Sequence, residues 1–208
     1  MFMEKASQPI TLVLATRNPG KLAELQALLA DLPIQLRAAT DFPGAPEVEE
    51  DAATLEGNAA RKARALQEFT GLPALADDTG LEVEALGGAP GVHSARFAGP
   101  TATDADNRAL LLERLKGVEN RRARFRTVLA FAPDARTLHL FEGICPGWIL
   151  EEERGSGGFG YDPLFVPEGH TQTFAEMSME EKNRISHRGQ ALRAFVSFLR
   201  EWLNEQER

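Results

Sequence analysis

The chain has 208 residues, a net charge of −8, a single cysteine (Cys145), and ordinary hydrophobic (43%) and charged (26%) fractions. That length buries a full core, so one domain is expected over 1–208, with residues 1–9 a loosely ordered N-terminal extension. The acidic balance excludes general binding to nucleic-acid polymers, one cysteine excludes a disulfide or cysteine-rich zinc site, and no apolar run approaches a membrane span, so a cytoplasmic setting is expected.

In chain order, Ile10 to Ala15 reads as a buried strand, followed by the polar turn Thr16-Arg17-Asn18-Pro19-Gly20-Lys21. Asn18 suits a helix N-cap and Pro19 the first helical position, and Leu22, Leu25 and Leu29 then line one helix face to about Ala30. A strand, polar turn and helix N-terminus aim free N–H groups and a positive dipole end at an anion. Lys21 in the first turn opposes that dipole unless something negative offsets it, although a plain cap with a solvated lysine is the simpler alternative. Ile34 to Leu36 is a short strand. Glu47, Glu49, Glu50 and Asp51 form an acidic cluster in a proline-bearing loop, either solvated or holding a metal ligand. The stripe Leu55, Ala59, Ala63 and Leu66 marks a second helix, capped by Asp51 or Thr54 and ended by Gly71, with Asn58 and Lys62 sharing a face.

Ala74 to Leu81 reads as a strand ending in the carboxylate pair Asp77-Asp78, with Thr79 and Gly80 after it, and Leu81 to Leu86 as a half-buried strand. Two adjacent carboxylates require a positive partner: a metal ion, a lysine or a helix N-terminus. Gly87 to Gly91 is a turn, and Thr101 to Leu115 a helix with Thr103 as its cap. Arg122 to Ala130 is a strand with a solvated basic face, turned back at Pro133 to Arg136 into an antiparallel hairpin. Gly155 to Pro163 carries four glycines in six positions together with Phe159 and Tyr161, so backbone can approach a ligand closely while aromatic faces stack on it. Ser178 to Glu181 is a capping box, Lys182 follows, and Ser186-His187-Arg188-Gly189 interrupts or re-caps the chain, with His187 and Arg188 at the start of a last helix striped by Leu192, Phe195, Val196, Leu199 and Leu203. The fold class is α/β, a mixed and partly antiparallel central sheet flanked by helices, with two lobes and a substrate groove between them.

Taken together, Thr16-x-Asn18-x-x-Lys21, Glu49-Glu50, Glu56-Gly57-Asn58-Ala59 to Lys62-Ala63, Ala76-Asp77-Asp78-Thr79-Gly80-Leu81, Leu86 to Gly91, Ser94-Ala95-Arg96, Gly158 to Pro163, and Glu181-Lys182 to Gly189 resemble the inosine/xanthosine triphosphate pyrophosphatase family. The resemblance runs from about Thr11 to the final helix; Thr79 replaces a common Ser and His93 a common Tyr. It implies metal-dependent hydrolysis of ITP, dITP and XTP to the monophosphate and pyrophosphate, by a homodimer using Mg²⁺, with Mn²⁺ as a substitute. It also implies Asp78 as proton acceptor and metal ligand, Glu49 as second metal ligand, and Asp77 as the more structural of the pair. Lys21, Lys62, Arg96 and Lys182 would neutralise the triphosphate, Thr16, Arg17, Asn18, Pro19, Gly20 and Thr79 would contact the substrate, Phe159, Gly160 and Tyr161 would take the base by stacking and close approach, and Asp162, His187 and Arg188 would read its edge. Donors aimed at a 6-oxo group penalise adenosine but not guanosine, whose exclusion needs pocket shape. The alternatives are a related pyrophosphatase for pyrimidine or modified nucleotides, and a non-hydrolytic nucleotide-binding protein, which would not need Asp78 and Glu49 together.

Overall fold

The structure, a computed structural model, describes residues 9–16 and 19–206. Its elements are β1 (Ile10–Leu14), α1 (Pro19–Leu28), β2 (Ile34–Ala38), α2 (Leu55–Thr70), β3 (Ala74–Val83), β4 (Pro90–Gly91), α3 (Asp104–Arg114), β5 (Arg122–Ala132), β6 (His139–Ile149), β7 (Phe165–Pro167), α4 (Met179–Ile185) and α5 (His187–Gln206). Among the described residues the strands form one seven-stranded sheet in the order β2-β1-β3-β5-β6-β7, with β4 alongside β3. β1 pairs in parallel with β2 and β3, and the β3, β5, β6 and β7 pairings are antiparallel. The mixed sheet expected from the sequence is therefore present.

One boundary differs from expectation. β3 does not stop at the carboxylate pair; it is ten residues long and ends at Val83, and Glu84–Leu86 is a single 3₁₀ turn, not more strand. Asp77 and Asp78 thus lie mid-strand, in register with Leu129 and Val128 of β5. Successive side chains on a strand point to opposite faces of the sheet. Leu75, on the Asp77 face, packs with Leu129, Phe131 and α5, and Ala76, on the Asp78 face, packs with Leu55, Ala59 and Ala63 of α2. The two aspartates are neighbours in sequence but face different layers.

The same long strands carry two apolar clusters on the Asp77 face. One gathers Leu12, Leu25, Leu75, Phe131 and Phe195; the other gathers Leu81, Val83, Phe125, Leu164, Phe165 and Phe174. Asp77 and Thr79 fall between them, where burying a carboxylate needs compensating charge. β5 shows the change of layer directly: Arg122 and Arg124 are exposed, whereas Thr127 to Ala132 is buried throughout because α2 and α5 cover both faces.

Close backbone contact fixes where α5 begins. A Cβ on Gly143 of β6 would lie 1.8 Å from the His187 carbonyl oxygen, so only glycine lets the start of α5 rest on the sheet there. A Cβ on Gly189 would lie 2.0 Å from the Asn183 carbonyl, which keeps α4 and α5 tightly joined. Ser186 ends α4 and its hydroxyl accepts from the Gly189 N–H at 3.1 Å, so one buried serine serves both helices.

Candidate active site

A groove of about 1070 Å³ lies over the middle of β3, bounded by α1, the 159–162 loop and the α4–α5 junction. Of the residues singled out from the sequence, Gly20, Lys21, Lys62, Asp78, Thr79, Phe159, Gly160, Tyr161, Asp162, Lys182, His187 and Arg188 line it. Glu49 and Arg96 do not line it. Arg17 and Asn18 lie outside the described residues, as does the Pro19 side chain; the Thr16 backbone N–H donates to the Leu14 carbonyl at 2.8 Å.

Asp77 is 5% exposed and its Oδ2 accepts from Lys21 Nζ at 2.6 Å and Arg188 Nη1 at 2.8 Å. Lys21 is in the first turn of α1 and Arg188 in the first turn of α5, both positions where a cation opposes the helix dipole. One carboxylate offsets both. Burial pushes the Asp77 carboxyl upward, but Lys21 and Arg188 outweigh it and hold the group well below the usual carboxylate range. The second partner of Arg188 is Glu24, whose Oε2 is 2.8 Å from Nε.

On the opposite face Asp78 is 8% exposed. Its Oδ2 accepts from Asn58 Nδ2 at 3.0 Å and its Oδ1 is 3.7 Å from Lys62 Nζ. Burial raises the Asp78 carboxyl, and Lys62 and Asn58 oppose this only in part. Lys62 Nζ also donates to the Asp77 carbonyl and to Glu50 Oε1, each at 2.6 Å. The groove therefore sees the Glu50 and Asp78 carboxylates converging on one ammonium, while Glu49, its neighbour, is exposed outside the groove. Asn58 is fully buried and its Oδ1 accepts from the Ala52 N–H at 2.9 Å, tying the acidic loop to Asp78. Arg96 braces the same loop by donating to the Glu50 carbonyl.

At the far end, Phe159 is 63% exposed, with Lys182 Nζ 4.8 Å from its ring centroid. Asp162 Oδ2 accepts from Lys182 Nζ at 2.5 Å and from the Phe159 N–H at 3.0 Å. Tyr161 differs from the stacking role read from the sequence: its ring is in the core and its hydroxyl donates to the Ser94 carbonyl at 2.7 Å. Thr79 shares a hydroxyl–hydroxyl hydrogen bond of 2.7 Å with Thr127. His187 is 7% exposed, stacked on Phe125 at 4.7 Å between centroids, and its Nδ1 has no hydrogen-bond partner among the described residues. Burial, then the charges of Lys182, Arg188 and Lys21, pull its pKa down to about 3, leaving the imidazole neutral at physiological pH. His93, in contrast, is exposed and outside the groove.

Sequence reasoning passed over Glu24 and left Glu50 as one carboxylate among four. Their roles depend on which side of a loop or helix faces the groove, and only the spacing of Asn58 and Lys62 hinted at the polar face opposite Glu50.

Residues 12–198 match the model of the Ham1 family. The dITP/XTP pyrophosphatase of Desulforamulus reducens is 54% identical over 94% of this chain and 98% of its own, and that of Streptomyces coelicolor is 50% identical over 92% and 98%. The solved structure of a HAM1 protein from Coxiella burnetii superposes with a TM-score of 0.88 at 45% identity, covering 92% of this chain and 99% of that one. A mixed sheet with a carboxylate-centred groove, matched over nearly its whole length, places the protein plainly: the chain belongs to the Ham1 family.

Proposed function

We propose that this chain is a nucleoside triphosphate pyrophosphatase acting on ITP, dITP and XTP, releasing the monophosphate and pyrophosphate. One observation carries the reading. A single groove holds a buried carboxylate of raised pKa, Asp78, flanked by Lys62 and Glu50, and is lined as well by the exposed Phe159 ring and the buried His187 imidazole. The first end suits phosphoryl chemistry and the second suits a purine.

The base stacks on Phe159 while His187 and Arg188 address its polar edge. A site that pairs the polar atoms of a base favours that base over one that leaves the site's groups unpaired. Lys21 and Lys62, beside the aspartates, neutralise the phosphates; Lys182, bonded to Asp162 and set over the Phe159 ring, belongs to the base end instead. Asp78 accepts the proton of the water that attacks the α-phosphorus; the bond to the bridging oxygen breaks, and pyrophosphate leaves with the electron pair. A carboxyl whose pKa is raised by burial is a better proton acceptor for that step.

The donors present fit a hard divalent cation. Asp78 and Glu50 offer carboxylate oxygens side by side, and among the described residues no group of three or more His, Cys, Asp or Glu could hold a metal alone. Such a pair suits Mg²⁺, with Mn²⁺ as substitute, completed by water and substrate phosphates. The cation, when bound, supplies Lewis-acid stabilisation of charge on the phosphoryl oxygens. Glu49 belongs to this reading as the alternative second ligand, and Glu49→Gln beside Glu50→Gln separates the two: the variant whose Mg²⁺ requirement rises identifies the ligand.

A homodimer of single-domain chains in the cytoplasm completes the reading; no described helix is long and apolar enough to cross a membrane, and sedimentation tests the dimer. The function itself is tested by incubating the protein with ITP and Mg²⁺ and quantifying both phosphate products. Pyrophosphate and IMP in equal amounts, lost on chelation, are expected; orthophosphate as the only inorganic product overturns the cleavage site.

A further inference from the structure

The exposure of Phe159 raises the question of what fixes its position. A ring with most of its surface in solvent is not held by packing, so its orientation depends on the backbone either side of it. The Phe159 N–H is tied to Asp162 within the loop. The next residue is tied from outside at both of its peptides: the Gly160 N–H donates to Asp104 Oδ2 at 2.8 Å, and Arg108 Nη1 donates to the Gly160 carbonyl at 2.8 Å. Arg108 Nε also meets Glu153 Oε1 at 2.8 Å, so one guanidinium bridges the start of the glycine-rich stretch and its tip.

Asp104 and Arg108 are four apart on α3 and so share a face. Helix capping does not occupy Asp104, because Thr103 and Asp106 already form the capping box at that end. Gly160 has φ +58°, a left-handed conformation in which side-chain-bearing residues are strained, and its two hydrogen bonds hold that turn.

We propose that Asp104 and Arg108 are positioning residues that preorganise Phe159 for stacking on the substrate base. This rests on the reading that the groove takes a nucleotide with its base at Phe159. Asp104 lines the Phe159 end of the groove and Arg108 does not line it; both bond Gly160, and they act on Phe159 through it. Without them the loop must be ordered on binding, and that cost falls on ligands that carry a base and not on those that lack one.

The experiment compares wild type with Arg108→Ala, Arg108→Lys and Asp104→Asn in KM and kcat for ITP, and in competitive inhibition by IMP and by inorganic tripolyphosphate. In Arg108→Ala and Asp104→Asn, KM for ITP and the inhibition constant of IMP should each rise about five-fold, with kcat and the tripolyphosphate constant within about two-fold of wild type. Arg108→Lys keeps one donor and should lie between. Amide hydrogen exchange over residues 156–162 should quicken in the same variants, a change that global destabilisation would spread over the whole chain. Wild-type KM and IMP constants in folded Arg108→Ala and Asp104→Asn overturn the proposal, as does equal weakening of IMP and tripolyphosphate. Failure of wild type itself to bind IMP would instead defeat the nucleotide reading.

Discussion

Asp77 and Asp78 divide their work because a strand sends consecutive side chains to opposite faces. Asp77 is committed to Lys21 and Arg188, and its low pKa makes it a poor proton acceptor; Asp78 has one hydrogen bond from Asn58 and a more distant ammonium. Asp78→Asn should therefore lower kcat for ITP by at least about a hundred-fold, the scale of a lost general base, while nucleotide binding changes little. Wild-type-like turnover in that variant removes Asp78 from its role. Phe159→Ala should weaken binding by about 1–3 kcal/mol, seen as a raised KM. His187 gives a pH dependence. Its folded pKa of about 3 lies below the 6.5 of an unperturbed histidine, so the unfolded chain binds the extra proton between those values and stability falls as pH drops through that window. Between pH 7 and pH 5 this one group should account for about 2 kcal/mol of lost stability. Denaturant titrations of wild type and His187→Gln at both pH values check it, and equal pH slopes for the two proteins would contradict it. At this scale the residue types were legible in the sequence, but their partners were not: nothing in Ala76-Asp77-Asp78-Thr79 shows that one aspartate faces α5 and the other α2.

At the scale of elements, the site depends on helix starts. Lys21 and Arg188 reach Asp77 because α1 and α5 both begin beside β3, and the start of α5 is set by Gly143. Gly143→Ala places a methyl against the His187 carbonyl, so it should cost about 1–3 kcal/mol or more in urea unfolding and lower activity by shifting His187 and Arg188. An active variant of wild-type stability would mean that α5 sits on β6 less tightly than 1.8 Å implies. Thr103→Ala, which removes only a cap, should cost about 1 kcal/mol. The caps at Thr54, Thr103 and Ser178 were readable because a cap and its helix are adjacent in sequence. The Gly143 contact was not, since it joins segments 44 positions apart (187 − 143) through backbone alone. The strand break placed after the aspartates failed for a related reason: two carboxylates look like a strand end until the cations that compensate them mid-strand are known.

For the whole molecule, the order of elements and the mixed sheet followed from the hydrophobic pattern, whereas the groove is a product of crossings. α1, α2, the 159–162 loop and the α4–α5 junction contribute to it from segments spread over most of the chain. In the proposed reading, the Phe159 end takes the base and the Asp78 end the phosphates within one cavity, so discrimination among bases and cleavage of the α–β bond should be separable by mutation. The most direct measurement is the initial rate of pyrophosphate release from ITP, XTP, GTP and ATP under identical Mg²⁺ conditions. Rapid release from ITP and XTP with far slower release from ATP and GTP is expected; equal rates on ITP and GTP, or on ITP and ATP, would contradict it.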